Sequence, residues 1–394
     1  MKTYYADKGG AFRLFITNNK IDTFVIDYDT SLTSLEKEFI SEYAAKFGFK
    51  NNLHPISNLN NENIYEWYNI GPALLKHIKS QKKEHIKDIN GNHITLKNLE
   101  KARKASEYIR NKINFYRLIK NINPDFLVPN TNIEKLDSTI HAYPFIIKSV
   151  QGKGGKGNIV CFSENDLSMV QSVFSSELFA SKQENNRYNI NRKVIVEKFF
   201  PNAPSYNYSF YCNTKGRISQ AHISQQIIDE VFYRGNIYPS DLTLKQEKSI
   251  KQIGKEICRY IHKEYGFIGW IGLDFIIINN KVYVLEANPR VNSVTHAHQL
   301  ANGNAFIIKL LKHQNKSVKS IFNNFFFDHT SLCGILPYQI PNQEEILLIS
   351  IHSSLEQAIQ QLEIFKTQNS LTDVTQENIK PYSKSVSYYV AKMK

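Results

Sequence analysis

The sequence predicts a chain of mixed α/β and α+β class: an α/β unit at the N-terminus, a larger α+β body and a small C-terminal α/β lobe. Three observations carry this. At 394 residues the chain is long enough for two or three domains. A strand pattern, DTFVIDYD at residues 22–29, runs into an amphipathic helical pattern, SLTSLEKEFISEYAAKFGF, as in an α/β layer. From Phe145 onward the pattern changes to strands in hairpins, broken by one long helical stretch at 244–266.

Taken in order, the N-terminal α/β unit is expected over residues 1–104, with further helix near Ile64 to Ile86. SLEK within the first helical stretch has a serine-to-glutamate helix-start spacing. Residues 102–122 read as one helix, since Tyr108, Ile109, Ile113, Tyr116 and Leu118 recur near helical spacing. Two prolines in NINPDFLVPN end it. Strands follow at FIIKSV, NIVCF, KVIVEKFF and SYNYSFYC, the last turning at NTKGR into ISQAHI. IGLDFIIINNKVYVLEANPR reads as two strands around an Asn-Asn turn. The body is expected over 105–325 and the C-terminal lobe over 326–394, and no chemistry attaches to that lobe.

Composition narrows the function classes. The net charge is +13, but the lysines are spread along the chain and form no basic block with interleaved aromatics. That argues against nucleic-acid binding and is compatible with attracting small anionic substrates. No run of about 18 apolar residues is present, so no membrane span is expected. The start, MKTYYADKGGAFRLF, lacks the apolar core of a secretory signal, and the four cysteines show no zinc or CxxC spacing. Reduced thiols in a cytoplasmic protein are the expectation.

The stretch FIIKSVQGKGGKGNIVCF places Gly152, Gly154, Gly155 and Gly157, with Lys153 and Lys156, between two strands. Gly152, Gly154 and Gly157 spell GxGxxG, but a dinucleotide loop must open a helix and β-branched residues follow here. A P-loop requires Gly-Lys-Ser/Thr at its end, and Gly157 precedes Asn158. A kinase loop has its paired lysine on a later strand, whereas Lys148 comes earlier, and no HRD or DFG triplet is present. Two readings stay open: a long surface turn, or a hairpin flap whose backbone N–H groups close on phosphate oxygens.

Asp274 and Glu286 flank the Asn-Asn turn. If the connection is the three residues 279–281, Ile278 faces Val282 and Asp274 faces Glu286, with Cβ atoms ~5 Å apart. Opposed carboxylates repel, and a cation between them reverses the sign. Asn288 and Arg290 follow at two-residue steps on the same face. Two carboxylates and an amide oxygen suit Mg²⁺, which is completed by water and substrate phosphates. Arg290 supplies a planar fork for phosphate or carboxylate. A two-residue turn would shift the register by one and turn the acids to solvent.

The ordered set of Lys112 in RNKINFYRLIK, Lys148 in FIIKSV, the glycine flap at 152–157, the VEKFF hinge at 197–200 and the closing Asp274, Glu286, Asn288 and Arg290 resembles the ATP-grasp superfamily, over about residues 105–311. The resemblance implies two α+β subdomains clasping ATP, preceded by the usual α/β domain. It implies that Lys112 and Lys148 meet the α/β-phosphates and the adenine edge. Gly152, Lys153, Gly154, Gly155 and Gly157 would cover the β/γ-phosphates. Glu197, Lys198, Phe199 and Phe200 would form the adenine hinge. Asp274, Glu286 and Asn288 would hold two Mg²⁺ ions, and Arg290, with Lys148, would act on the transferring phosphoryl group. The acidic ribose contact common in the family is missing from PNAPSYNYSF, where Ser205 or Asn207 would substitute. His296 is a substrate-pocket candidate, set against the commoner structural role of a lone histidine.

The activity implied is an ATP-dependent ligase that converts a carboxylate to an acyl phosphate and joins it to an amine, releasing ADP. The substrates expected are an amino acid or peptide carboxylate and an amine. Two alternatives stand beside it: loading an amino acid onto the thiol of an acyl carrier protein, and a non-catalytic nucleotide-binding module. The oligomeric state, homodimer or otherwise, is open.

Overall fold

The structure is a computed structural model. It describes residues 2–6, 23–26, 50–52, 63–67, 75, 79, 86–87, 92–134, 143–150, 158–175, 194–229, 231–238, 240–290, 292, 325–327, 333–339 and 347–352. Three sheets organise these residues.

The first sheet contains β1 (Lys2–Ala6), β2 (Thr23–Ile26), β3 (Lys50–Asn52), β4 (Asn63–Trp67), β5 (Ile86–Lys87) and β6 (His93–Ile94), in the order β3-β2-β1-β4-β5-β6. All neighbours are parallel except β5 and β6. A parallel sheet is consistent with the expected α/β unit, whose first helix, SLTSLEKEFISEYAAKFGF, lies outside the described residues; Ile64 and Ile86, expected near helix, lie in strands. NIYEW carries Ile64, Tyr65 and Trp67, residue types that favour strands, a local preference that pairing beside β1 satisfies.

The second sheet has four antiparallel strands, β7 (Asn132–Glu134), β8 (Phe145–Lys148), β9 (Asn158–Cys161) and β10 (Val194–Lys198), in the order β7-β10-β8-β9. β8 and β9 form the expected hairpin, running from Phe145 opposite Cys161 to Lys148 opposite Asn158. One face of the sheet packs Phe145, Ile147, Val194 and Val196 on Leu167 and Val170 of a helix spanning Glu164–Ser175. The opposite face carries Ile146, Lys148, Ile195 and Glu197.

The third sheet begins with β11 (Ser205–Cys212), β12 (Ile218–Asp229), β13 (Phe232–Tyr238), β14 (Gly269–Ile278) and β15 (Lys281–Asn288). It ends with β16 (Phe325–Phe327), β17 (Cys333–Gln339) and β18 (Leu347–His352), in the order β15-β14-β11-β12-β13-β17-β18-β16. The strands expected in a separate C-terminal lobe therefore extend this sheet beside β13.

Helices α1 (Leu96–Arg110), α2 (Lys112–Ile122), α3 (Glu164–Ser175, above) and α4 (Leu244–Tyr265) complete the body. The single helix expected at 102–122 is two. Asn111 leaves helical geometry and its Oδ1 accepts the N–H groups of Ile113 and Asn114, so it caps α2. The domain edge expected at 104/105 falls inside α1, whose Ala105 and Ile109 sit in the same core as α4 and the third sheet.

That core lies on one face of β11 and β14: Tyr206, Tyr208, Phe210 and Cys212 alternate inward against Ile250, Ile257 and Ile261 of α4. α4 starts with a Thr243–Gln246 capping box and ends at Gly266 in the left-handed region. Gly254 lets α4 lie close to the sheet, since a Cβ there would come within 2.5 Å of the Tyr208 ring. Gly254→Ala is therefore expected to destabilise the protein by roughly 1–3 kcal/mol through overpacking, read as a lower denaturant midpoint. An unchanged midpoint would show that α4 rides higher on the sheet. The other face of β11 presents Ser205, Asn207 and Ser209, and the candidate site is built on it.

Candidate active site

Two sheets and one helix end converge. From the third sheet come Asp274 on β14 and Glu286 on β15, paired directly across the ladder. The connection is two residues, Asn279 and Asn280, both in the left-handed region that a tight primed turn requires. Ile278 therefore faces Lys281, and the register runs as far as Phe275 opposite Val284. A bulge then inserts Leu285 and restores Asp274 opposite Glu286. The three-residue turn of the sequence argument is thus corrected. The opposition it predicted arises by another route, because turn and bulge each shift the register by one.

Asp274 is 9% exposed, and Glu286 is partly exposed. Burial, followed by the Glu286 charge, pushes the Asp274 carboxyl up to about 8. Burial would also raise Glu286, but Lys112 and then Lys148 outweigh it and hold that carboxyl down to about 2. Lys112 Nζ lies 2.9 Å from Glu286 Oε2. The lysine reaches there because it is the first residue of α2, with its own N–H bonded to the Val150 carbonyl. The break at Asn111 thus aims a side chain that a continuous helix would carry elsewhere.

From the second sheet, Lys148 pairs with Glu197 on the neighbouring strand; both are buried. Glu197 sits at the end of β10, where the chain leaves the sheet: the Phe199 N–H bonds to the Pro144 carbonyl, and the Phe200 carbonyl accepts from Ala203. Lys198 turns outward, with its ammonium 5.3 Å from the Phe200 ring centre.

Asn288 Nδ2 donates to Asp274 Oδ2 at 3.0 Å and to Glu286 Oε1 at 3.2 Å, so its amide bridges the carboxylates. Turning the carboxamide over would offer Oδ1 to a cation in the same place. Among the described residues no cluster of three or more His, Cys, Asp or Glu side chains is placed to hold a metal. Two opposed carboxylates, one of them raised by burial and then by the other, with a carboxamide between them, are nonetheless a fitting donor set for Mg²⁺, which takes few protein ligands and relies on phosphates and water.

Asn207 was expected at the sugar. It is instead 3% exposed beneath Asp274, donating from Nδ2 to Oδ1 at 2.6 Å, because β11 pairs with β14 at that residue. Ser205 hydrogen-bonds Gln226, which also donates to Asp274 Oδ1 at 3.2 Å. The flap residues Gly152, Lys153, Gly154, Gly155 and Gly157, and His296, lie outside the described residues. Sequence reasoning missed Ser209, Gln226, Gly272 and Asn292. The two-residue period of SYNYSF places Ser209 beside Asn207, and Asn292 lies one such step past Arg290; both signals were available.

The profile of a family described as L-aspartate–L-methionine ligase, ATP grasp, matches residues 127–288, the stretch that carries Lys148, Glu197, Asp274, Glu286 and Asn288. The chain is 26% identical over 156 residues to formate-dependent phosphoribosylglycinamide formyltransferase of Bacillus subtilis, and 24% identical over 172 residues to that of Prochlorococcus marinus. These alignments cover 38% and 44% of this chain, and the chain spans only 35% and 40% of those relatives. Among solved structures, an ADP complex of N5-carboxyaminoimidazole ribonucleotide synthetase superposes over 94% of this chain and 97% of its own, with a TM-score of 0.52 and 12% identity. Phosphoribosylamine–glycine ligase of Thermotoga maritima covers 80% of this chain and 76% of its own, with a TM-score of 0.51 and 13% identity. These likenesses show an ATP-grasp fold, and the family match, over residues 127–288, is similarity to an ATP-grasp ligase family across less than half of the chain.

Proposed function

We propose that the protein is an ADP-forming ligase that activates the carboxylate of an amino acid or peptide as an acyl phosphate and passes the acyl group to an amine. The observation that carries this is the opposition of Asp274 and Glu286 across β14 and β15, with Asn288 spanning them and Lys112 on Glu286. Phosphoryl transfer needs positioning and charge neutralisation more than covalent help from the protein, and this is a site of that kind. The family description names a ligase of two amino acids, which supports the substrate class.

In this reading Asp274, Glu286 and Asn288 would hold Mg²⁺, taken as two ions, which would supply positive charge against the phosphate oxygens. Lys148 and Lys112 bind ATP phosphates, each shared with the carboxylate that now pairs it. Glu197 to Phe200 receive the adenine at the end of β10. The glycine stretch at 152–157 closes over the phosphates and keeps water from the acyl phosphate. Arg290 steadies the phosphoryl group as it moves to the carboxylate oxygen. The incoming amine then attacks the acyl carbon and phosphate leaves with the bonding electron pair.

Incubation with ATP, Mg²⁺ and a panel of amino acids is expected to release ADP and phosphate, and hydroxylamine is expected to trap the activated acyl group as a hydroxamate. Release of AMP and pyrophosphate would overturn the acyl-phosphate mechanism. Loading of an acyl carrier protein, which the +13 charge would favour, gives a thioester instead, and strong loss of binding with salt would mark it.

A further inference from the structure

Six side chains around the paired carboxylates form a closed circuit of hydrogen bonds. Arg290 starts it in both directions. On the short arm, Arg290 Nη2 donates to Asn288 Oδ1 at 3.5 Å, and Asn288 Nδ2 donates to Asp274 Oδ2 at 3.0 Å. On the long arm, Arg290 Nη1 donates to Asn292 Oδ1 at 3.1 Å, and Asn292 Nδ2 donates to Ser209 Oγ at 3.0 Å. The Ser209 hydroxyl then donates to Asn207 Oδ1 at 2.6 Å, and Asn207 Nδ2 donates to Asp274 Oδ1 at 2.6 Å. Every link points the same way, from the guanidinium that can only donate to the carboxylate that accepts on both oxygens. Bonds so aligned polarise one another in a low-dielectric setting.

The long arm is buried: Ser209 is 1% exposed, Asn207 3% and Asn292 8%. The fold makes room for it. Gly272 pairs with Ser209 across the sheet, and a Cβ on Gly272 would lie 1.6 Å from Asn292 Nδ2 and 2.9 Å from Asn207 Nδ2. The Asn292 carboxamide occupies the space that a side chain at Gly272 would fill. A buried polar chain of this length is costly unless every link is made, and here every link is made.

We propose that Asn292 and Ser209, seated over Gly272, are positioning residues that align Arg290 and Asp274 as one unit for the phosphoryl-transfer step. The inference rests on the ligase reading above. Arg290 uses one N–H of each terminal nitrogen in the circuit, which fixes the plane of its guanidinium. Asp274 receives Asn207 on Oδ1, which sets the plane in which the carboxylate meets a cation, and the long arm keeps this bond when the Asn288 carboxamide turns over toward the cation. Neither positioning residue needs to touch substrate.

The experiment compares Ser209→Ala, Asn292→Ala, their double variant and Gly272→Ala. Three quantities are read: kcat for ADP release, Mn²⁺ affinity of the protein–ADP complex, and ADP affinity in a chelator. Loss of the supporting shell is expected to weaken Mn²⁺ about 10- to 100-fold and to lower kcat by a similar factor, with metal-free ADP affinity unchanged. The double variant is expected to be no worse than the poorer single one, because both cut the same arm. Gly272→Ala is expected to match Asn292→Ala by displacing its carboxamide. Ser209→Ala, which removes one oxygen and leaves no bulk, keeps the test valid if Gly272→Ala fails to fold. Unchanged Mn²⁺ affinity and kcat in Ser209→Ala would overturn the proposal, as would equal losses of nucleotide binding with and without metal. No ADP release from the wild-type protein, with the metal-specific loss still seen in the variants, would sink the ligase reading and leave the positioning role standing.

Discussion

Glu286→Gln is expected to reduce ADP release on the order of 10³-fold, with the fold retained. The change removes one negative charge from a pair whose function in the proposed mechanism is to hold a divalent cation against phosphate. A metal's stabilisation of transition-state charge amounts to several kcal/mol, and about 4 kcal/mol corresponds to that factor. Two further consequences distinguish this from a general defect. Lys112 loses the carboxylate it pairs at 2.9 Å, so the binding of metal-free ADP is expected to hold or tighten. Asp274 loses the like charge opposite it, so its carboxyl falls, though burial still holds it up, while buried Lys112 loses its carboxylate, so the apo protein is expected to lose some stability. Thermal unfolding and calorimetry with ADP, with and without Mg²⁺, measure both. Turnover at the wild-type rate would remove Glu286 from the mechanism and favour a module that only binds nucleotide.

Lys148→Met is expected to be the most destabilising single change at the site. Lys148 and Glu197 are paired while buried on one face of the second sheet, at 8% and 5% side-chain exposure. Removing the cation leaves Glu197 as an uncompensated buried charge, a loss of about 3–5 kcal/mol. For a body of this size that corresponds to a fall in Tm of roughly 10 °C. The double variant Lys148→Met/Glu197→Met is expected to recover most of the stability and none of the turnover, because a matched apolar pair repairs the sheet but offers the nucleotide nothing. Chemical denaturation of the single and double variants measures the first part and ADP release the second. A single variant as stable as wild type would mean that water reaches the pair, and that the ion pair contributes no more than a surface one.

The two expectations differ in how readily the chain displays them. Lys148 in FIIKSV is conspicuous in sequence, since a lysine between apolar strand residues is seldom buried without a partner. Its partner was placed at the adenine hinge by resemblance, and the ladder of β8 and β10 brings the two onto one face. Lys112 is inconspicuous: inside the continuous helix that periodicity suggests, it reads as a solvated lysine. Asn111 alters that by ending α1 and capping α2, and a cap of this kind is a weak local signal overshadowed by strong apolar periodicity on both sides. The strand at Asn63–Trp67 was misread as helix because short apolar runs do not separate the two periods; pairing in a parallel sheet decided it.

Legible in the sequence alone were the strands of the body, the pairing of the two strands around the glycine stretch, and the residue types of the candidate site, because hydrophobic period and turn chemistry are local properties. Tertiary structure alone decided register and partnership. A two-residue turn and a bulge, each of which would send Asp274 and Glu286 to different faces, together bring them opposite each other, since side chains alternate across a strand and two single-residue shifts cancel. The same holds for the circuit through Asn207, Ser209 and Asn292: Asn292 lies 83 residues from Ser209 along the chain, and only the pairing of β11 with β14 over Gly272 brings them within hydrogen-bond reach.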